Sequence, residues 1–302
     1  MDSKNKRALV ISGGGCKGAF AGGFLEHVIH NEKISYDILL GTSTGSLLIP
    51  HIAIGKIEKI KHLYTSIRMD DIYNTNPFKI KKNKDGTIES SLSHINSLRR
   101  FLKGKKTFGE SIKLKRLISE CFTEDDYNIA KNTGKQVIAT VANLSIGHME
   151  YKFLHDCTYQ DYVDWMWAST SFVPFMSLVK KNGYEYADGG FGNYLPIEEA
   201  VNLGANVIDA IILVPKTHSY TKTPESKNVF EVFVNTIKFM LKHIAKHDLT
   251  IGYLESIYNK DVKVNFYFTP YELTKYSFYF DPIQMSDWWD DGYHYAKQVF
   301  KP

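Results

Sequence analysis

The sequence predicts an α/β fold in which helices flank a mainly parallel central sheet. Short apolar runs that predict strands alternate with helical patterns from residue 7 to residue 300, as in parallel sheets with crossover helices. In addition, two glycine-rich turns at 13–18 and 41–45 each follow a predicted strand. Ligands bind at the carboxyl ends of strands in open α/β sheets, so we expect a functional site where these turns meet.

The individual elements follow from apolar periodicity. The first strand is predicted at 7–12, and the helix at 19–31 has an apolar stripe at helical spacing, formed by Phe20, Phe24, Leu25 and Val28. Later strands are predicted at 37–40, 136–143, 149–154, 184–187, 207–214 and 262–268, and later helices at 46–54, 159–168, 196–203, 230–246 and 285–300.

A single domain spanning 1–302 is expected, because no linker-like segment, repeat or low-complexity stretch divides the chain. Within it, 56–122 is a basic and mainly helical stretch that we interpret as an insertion or cap, interrupted by turn residues at 74–77 and 83–86. Residues 215–302 are expected to form the C-terminal part of the same domain.

Ser43 is the candidate nucleophile. It lies in Gly41-Thr42-Ser43-Thr44-Gly45, a G-x-S-x-G pattern between a predicted strand and a predicted helix. A serine on such a sharp turn needs small neighbours, because side chains at Gly41 and Gly45 would collide with the turn that exposes the hydroxyl. The pattern therefore indicates an esterase.

The glycine loop that begins at Gly13 and ends at Lys17-Gly18 is the candidate oxyanion hole. Without Cβ atoms the backbone can approach a ligand closely. The N–H groups of Gly14, Gly15 and Cys16 are therefore expected to stabilise an oxyanion that forms beside the serine.

The same loop matches the G-x-G-x-x-G dinucleotide fingerprint. A non-catalytic or nucleotide-responsive α/β binding protein is therefore the alternative function. A Rossmann site requires an acidic residue at the end of the second strand, and here that strand ends in Leu40-Gly41.

Asp188 is the candidate base, and Gly189 and Gly190 follow it. In isolation, Asp-Gly-Gly predicts a tight turn. Beside a serine elbow, a carboxylate on such a turn can approach the hydroxyl directly. Aspartate is a weak base, with a reference pKa near 3.9, so this machinery would depend on strong stabilisation of the oxyanion.

A histidine-dependent triad of the α/β-hydrolase type is a rival interpretation. Asp188 would be its acid, and the histidines that follow are His218, His243, His247 and His294. That fold places several strands before the serine elbow, whereas only one predicted strand precedes Ser43.

The glycine loop, the serine elbow and the Asp-Gly-Gly turn together resemble the motifs of the patatin-like phospholipase family, in the family's order. Residues 168–174 are similar to its Ala-Ser-x-x-x-Pro segment, although the proline is one residue late when counted from Ala168. Asn193 and Pro196 are similar to the Asn and Pro that follow its Asp-Gly-Gly. Ser12 stands where plant patatins carry an aspartate, so the chain resembles the bacterial branch more closely.

This resemblance implies a three-layer α/β/α fold and a Ser43–Asp188 catalytic dyad. It also implies hydrolysis of acyl esters in phospholipids, lysophospholipids or related lipids, without a metal or an organic cofactor. Lys17 is similar to the family's basic residue after the glycines. We expect it either to steer a phosphate or to neutralise the site.

Basic residues concentrate between 79 and 116, where twelve Lys and Arg against three acidic residues give a local net charge of +9. This run predicts either a solvated helical surface or contact with an anionic membrane. No nucleic-acid-binding motif accompanies it, so nucleic acid is not expected as a partner. Trp288 and Trp289, adjacent on a predicted helix, are further candidates for lipid contact.

Cysteine usage indicates a reducing compartment, because Cys16, Cys121 and Cys157 have neither disulfide-framework nor metal-site spacing. The apolar run that precedes the glycine loop is too short for a secretory signal. No stretch approaches the ~20 apolar residues that cross a bilayer. A cytoplasmic protein is therefore expected, and peripheral membrane contact stays open as an alternative.

Overall fold

The computed structural model describes residues 5–82, 88–216, 225–226 and 228–301. Its main sheet has eight strands, and β3 and β4 form a separate antiparallel pair. The strands are β1 (Lys6–Ile11), β2 (Ile38–Thr42), β3 (Phe78–Lys82), β4 (Ile88–Leu92), β5 (Gln136–Asn143), β6 (His148–Phe153), β7 (Val179–Lys181), β8 (Tyr184–Asp188), β9 (Ala205–Pro215) and β10 (Lys263–Thr269).

The order of the main sheet is β10-β9-β1-β2-β5-β8-β7, and β6 also pairs with β5. Neighbours from β10 to β5 are parallel, whereas β6, β8 and β7 join in antiparallel pairs. The predicted mainly parallel sheet is therefore confirmed. Both strands that precede the glycine-rich turns, β1 and β2, lie at its centre.

Helices cover both faces of the sheet, which confirms the α/β/α prediction. They are α1 (Gly18–His30), α2 (Thr44–Ala53), α3 (Ile57–Ser66), α4 (Met69–Ile72), α5 (His94–Leu102), α6 (Ile112–Cys121), α7 (Glu124–Asn132), α8 (Tyr159–Ser169), α9 (Ile197–Asn202), α10 (Val229–Tyr258) and α11 (Pro282–Val299). Alternate residues of β1 separate two cores: Leu9 and Ile11 pack with α1, α2, α3 and α11, whereas Ala8 and Val10 pack with α9 and part of α10.

One edge of β5 is shared by two strands. β2 pairs with its residues 136–140 and β8 with 141–143, while β6 occupies the opposite edge. Thr42 is opposite Thr140, and Asp188 is opposite Val141. The carboxyl ends of β2 and β8 therefore meet at one point of the sheet.

The basic stretch 56–122 contains α3 to α6, as predicted, but also the hairpin β3–β4, which was not predicted. Phe78 and Ile80 alternate with Lys79 and Lys81. This period of two suits a strand, and the lysine content masked it in the helical interpretation. The predicted turn at 83–86 lies outside the described residues.

The prediction that Trp288 and Trp289 contact lipid is wrong. Their exposed fractions are 4% and 0%. Helix α11 packs against both α1 and α3. Two of its faces are therefore buried, and adjacent residues can both point into the protein. In the described part of the chain, no helix is both long enough and apolar enough to span a bilayer.

Candidate active site

Ser43 occupies the sharp turn between β2 and α2. Its backbone has φ +54° and ψ −122°, a left-handed conformation that non-glycine residues rarely adopt. A Cβ at Gly41 would lie 2.3 Å from the carbonyl carbon of Gly45, and one at Gly45 would lie 2.5 Å from the Ile11 oxygen. Only glycine fits these two positions, which accounts physically for the G-x-S-x-G spacing.

Asp188 ends β8 and is 4% exposed. Its Oδ1 accepts a 2.8 Å hydrogen bond from the Gly190 N–H, and the Ser43 side chain lies close enough to the carboxylate to lower its pKa. A Cβ at Gly189 would lie 2.4 Å from the Thr140 oxygen. The glycine after the aspartate therefore lets β8 end tightly against β5.

Burial raises the pKa of Asp188 from 3.8 to about 7, and the Ser43 side chain and the hydrogen bond from Gly190 oppose this shift. Burial dominates because a charged carboxylate loses its hydration in the protein interior. A carboxyl group with this pKa is a much stronger base than ordinary aspartate. It can accept and return a proton near neutral pH.

Residues 168–174, matched above to the family's Ala-Ser-x-x-x-Pro segment, accept hydrogen bonds from the backbone of both Ser43 and Asp188. The Ser43 N–H donates to Ser169 Oγ at 3.0 Å. The Asp188 N–H donates to the Ser171 carbonyl oxygen, also at 3.0 Å. Both serines lie in the segment matched to the family, but no local pattern indicated these contacts, because each hydrogen bond joins residues far apart in the chain.

The glycine loop lies directly beside the serine. A Cβ at Gly13 would come within 3.3 Å of Ser43 Cβ, and one at Gly14 within 2.6 Å of Leu213. Gly15 has φ +57°, and its Cα faces the Ser277 carbonyl oxygen. Outside helices and strands, the backbone hydrogen bonds recorded for the described residues include none donated by Gly14 or Gly15. These two N–H groups remain available to a ligand.

The third predicted oxyanion donor, Cys16, is already engaged. Its N–H donates to the Ser277 carbonyl oxygen at 3.0 Å, so in this conformation it is not a free donor. Burial also raises the pKa of the Cys16 thiol to about 12. The side chain is therefore a protonated thiol, which makes it a poor nucleophile.

Lys17 is buried, and its Nζ donates to the Leu213 carbonyl oxygen at 2.6 Å. Burial lowers the pKa of this ammonium. Because the side chain ties the loop to the end of β9, this geometry favours a positioning role over phosphate steering. The next residue, Gly18, brings the two turns together, since a Cβ there would lie 2.1 Å from Thr44 Oγ1.

Among the described residues, no hydrogen bond or ion pair joins Asp188 to any of the three described histidines proposed for a triad, whereas its carboxylate accepts one from the Gly190 N–H. His243 and His247 are exposed on α10, and His294 is exposed on α11, where its Nδ1 lies 2.7 Å from the Asp290 carbonyl oxygen. His218 lies outside the described residues. The described geometry therefore favours a dyad over the histidine triad.

An apolar pocket opens beside Ser43. Concave sites lined mainly by apolar side chains, with a few polar groups, are typical of ligand pockets. Its lining comes mainly from α2, α3 and α6 and comprises Gly15, Ser43, Thr44, Leu47, His51, Ile60, Leu63, Tyr64, Ile67, Ile72, Leu114, Leu117, Ile118, Cys121, Phe122, Met166, Thr170, Met176, Phe278, Phe280 and Met285. Much of the stretch 56–122, to which no motif was assigned, therefore forms the wall of this pocket.

One group of potential metal ligands occurs among the described residues: Glu26, His30 and Glu58, on α1 and α3. Glu26 is paired with Lys61 at 3.0 Å and accepts a hydrogen bond from Trp289 Nε1. These interactions already satisfy the one carboxylate of the group that is not exposed. The group is not among the residues that line the Ser43 pocket.

The chain is similar to known proteins in sequence and in fold. The family model Patatin, described as patatin-like phospholipase, matches residues 9–201. The uncharacterized protein YjjU of Escherichia coli (strain K12) is 27% identical over 226 residues, which cover 71% of this chain and 54% of that protein. The chain thus spans about half the length of this curated relative.

The fold is also similar to the crystal structure of VipD from Legionella pneumophila, with a TM-score of 0.51 and 14% sequence identity. The match covers 98% of this chain and 66% of that one. At this identity the likeness concerns the fold alone.

Proposed function

Because the chain belongs to the patatin-like phospholipase family, we propose that it is a serine acyl-ester hydrolase that acts on phospholipids, lysophospholipids or related lipid esters. One observation carries the proposal. Ser43, on a strained turn, lies beside a buried carboxyl, that of Asp188, whose pKa burial raises to about 7. Perturbed groups of this kind cluster at catalytic sites.

The proposed reaction has two steps. Ser43 Oγ attacks the ester carbonyl while Asp188 accepts its proton, and the N–H groups of Gly14 and Gly15 stabilise the oxyanion. Asp188 then returns the proton to the leaving alcohol. In the second step Asp188 deprotonates a water molecule, which attacks the acyl-enzyme; Asp188 then returns the proton to Ser43 Oγ as the fatty acid is released. The positive end of α2, which begins at Thr44, lies next to the reacting oxygen.

The first test uses Ser43→Ala and Asp188→Asn with p-nitrophenyl butyrate as substrate and a fluorophosphonate probe. Both variants are expected to lose hydrolysis, and Ser43→Ala to lose labelling. Cys16→Ser is the matched control and should keep most activity. Near-wild-type hydrolysis by both variants would refute the dyad. Absence of labelling, together with thermal stabilisation by nucleotides, would instead support the nucleotide-responsive alternative.

We also propose peripheral contact with an anionic membrane, through α5. Four large apolar residues of this helix are between 58% and 77% exposed: Ile95, Leu98, Phe101 and Leu102. Arg99 and Lys103 are exposed on the same helix or at its end, and neither is in a recorded ion pair in the described part of the chain. Exposed apolar side chains flanked by cations are typical of helices that lie in the membrane interface.

Fewer basic residues of 79–116 have charges free for an anionic membrane than the sequence alone indicates. Several of its members are in ion pairs: Lys81 with Glu89, Arg100 with Glu110, Lys106 with Glu185, Lys115 with Asp164 and Arg116 with Glu120. The β3–β4 hairpin, which directly precedes α5 in the chain, also contacts the pocket. Phe78, at the start of β3, stacks on Phe278, which lines the pocket. Membrane contact through α5 would therefore bring lipid close to Ser43.

Sedimentation with phosphatidylglycerol vesicles tests this contact. Replacing Leu98 and Phe101 by Asp should weaken vesicle binding at least tenfold, while turnover of p-nitrophenyl butyrate in solution is retained. Ile146→Asp, at another exposed apolar position (58% exposed), is the matched control. Equal binding by both proteins would refute a role for α5.

Because Cys16, Cys121 and Cys157 are free thiols, the proposed site of action remains the cytoplasm.

A further inference from the structure

The pocket beside Ser43 has two distinct ends. At the near end, Thr44 Oγ1 and the Tyr64 hydroxyl share a short hydrogen bond. At the far end, His51 Nε2 lies 3.6 Å from Cys121 Sγ, and the same sulfur lies 4.0 Å from the Lys59 carbonyl oxygen. Helices α2 and α3 are therefore antiparallel along the pocket. The space runs along α2 from its first turn to its last.

The far end is closed by side chains. The ring of Phe122 meets the His51 ring edge-on, with centroids 5.6 Å apart. Ile60 and Cys121 complete this end of the lining. His51 is 2% exposed, and burial lowers its pKa to about 4, so its imidazole is neutral at physiological pH. None of the described residues that line the pocket carries a charge, so the space suits a hydrocarbon chain and not a head group.

We propose that this pocket is an acyl-chain tunnel and that His51 and Cys121 set its length, which selects acyl groups of about eight to ten carbon atoms. The inference rests on the proposed hydrolase function, since Ser43 then marks the position of the ester carbonyl.

The length follows from the geometry of α2. His51 is eight residues after Ser43, a distance of about 12 Å along the helix at its usual rise. Side chains on a helix incline toward its N-terminus, so the imidazole shortens the usable space to about 10 Å. An extended chain advances about 1.2 Å per bond, as the extended main chain does, so about eight bonds fit between the carbonyl and the imidazole.

The test is hydrolysis of p-nitrophenyl esters with acyl chains from four to sixteen carbons. In the wild type, kcat/KM is expected to rise about fourfold per added methylene and to stop rising near eight to ten carbons. His51→Ala should move this limit about three carbons longer, because it opens the closed end. Cys121→Phe should move it at least two carbons shorter, because it fills the same space. His62→Ala is the matched control, since His62 is exposed on α3, and it should keep the wild-type limit.

A second readout separates this inference from the proposed reaction. Thermal stabilisation by free fatty acids of six to fourteen carbons, below their micellar concentrations, should increase with chain length and level off at the same limit. A length limit in stabilisation, in a wild type that hydrolyses no ester, would support the tunnel and refute the hydrolase. Hydrolysis with no length limit, or one unchanged by both His51→Ala and Cys121→Phe, would refute the tunnel and leave the hydrolase standing.

Discussion

Replacing Asp188 by asparagine is expected to remove activity and to increase stability at the same time. The amide oxygen of asparagine can still accept the 2.8 Å hydrogen bond from the Gly190 N–H, so the turn is retained. The amide cannot take a proton from Ser43. Loss of a general base typically costs about 10²- to 10⁴-fold in rate. We expect kcat for p-nitrophenyl butyrate to decrease by at least about 10²-fold.

The gain in stability follows from the buried charge. Burial raises the pKa of Asp188 from 3.8 to about 7, so between these values the folded protein holds a proton that the unfolded chain has released. Because the unfolded state binds fewer protons in this window, the free energy of unfolding of the wild type falls as the pH rises through it. The contribution is present below pH 3.8 and is lost by about pH 7. From pH 5 to pH 8 the loss amounts to about 3 kcal/mol.

Asparagine does not ionise, so Asp188→Asn avoids this loss. Urea unfolding of both proteins at pH 5 and pH 8 measures it. The stability of the variant minus that of the wild type should grow by about 3 kcal/mol. Asp248→Asn is the matched control. Asp248 is a second buried carboxyl, whose pKa is raised to about 6 by burial. This control should show the same sign of stability change but keep its hydrolysis. A stability difference for Asp188→Asn that does not change with pH would refute the reasoning.

Three further predictions concern the same site and its supports. First, kcat/KM of the wild type should increase about tenfold per pH unit up to an apparent pKa of about 7 and then level off, because Asp188 must be deprotonated to act; a flat profile between pH 5 and pH 8 would contradict this. Second, Gly15→Ala should abolish hydrolysis and lower the free energy of unfolding by about 2 kcal/mol or more, since its φ is +57° and the new Cβ would lie 2.1 Å from the Ser277 oxygen; chemical denaturation and the ester assay check both effects. Third, Gly23→Ala should be far more destabilising than Gly134→Ala in thermal melts, because a Cβ at Gly23 would lie 1.8 Å from the Trp289 oxygen, whereas alanine at Gly134 meets no atom within 4 Å and has only the backbone strain of a φ of +72°; equal melting temperatures would show that α1 and α11 can move apart.

The central elements could be predicted because their signals are local. The buried strand before each glycine-rich turn and the periodic helix after it are each recognisable from a run of consecutive residues. The observed bounds of β1 and α1 lie within one or two residues of the predicted ones. The prediction for the helix at 230–246 was too short, since α10 continues to Tyr258. Its later turns carry Asp248 and other residues that pack under the loop after the Asp-Gly-Gly turn, a tertiary constraint without periodicity.

Contacts between residues far apart in the chain could not be predicted from the sequence. The Cys16 N–H is engaged by Ser277, near the opposite end of the chain, and no motif marks that carbonyl oxygen. His51 was not considered, because an isolated histidine in an apolar helix has no sequence pattern that distinguishes a pocket lining from a core position. The adjacency of Ser43 and Asp188 was expected from the glycine-rich turns and the family resemblance, but the strand pairing that produces it was not, since the pairing of two strands with one edge of β5 has no local signal.

That shared edge has a consequence for how the protein inactivates. Thr42 and Asp188 are aligned with consecutive residues of β5, an internal strand with partners on both sides. Fluctuations of surface helices can leave this alignment intact, whereas separating Ser43 from Asp188 requires the innermost strands to part. Amide hydrogens of β5 are therefore expected to exchange with solvent only through global opening. Heat inactivation should then coincide with cooperative melting of the whole sheet, without an earlier phase in which the protein remains folded but inactive.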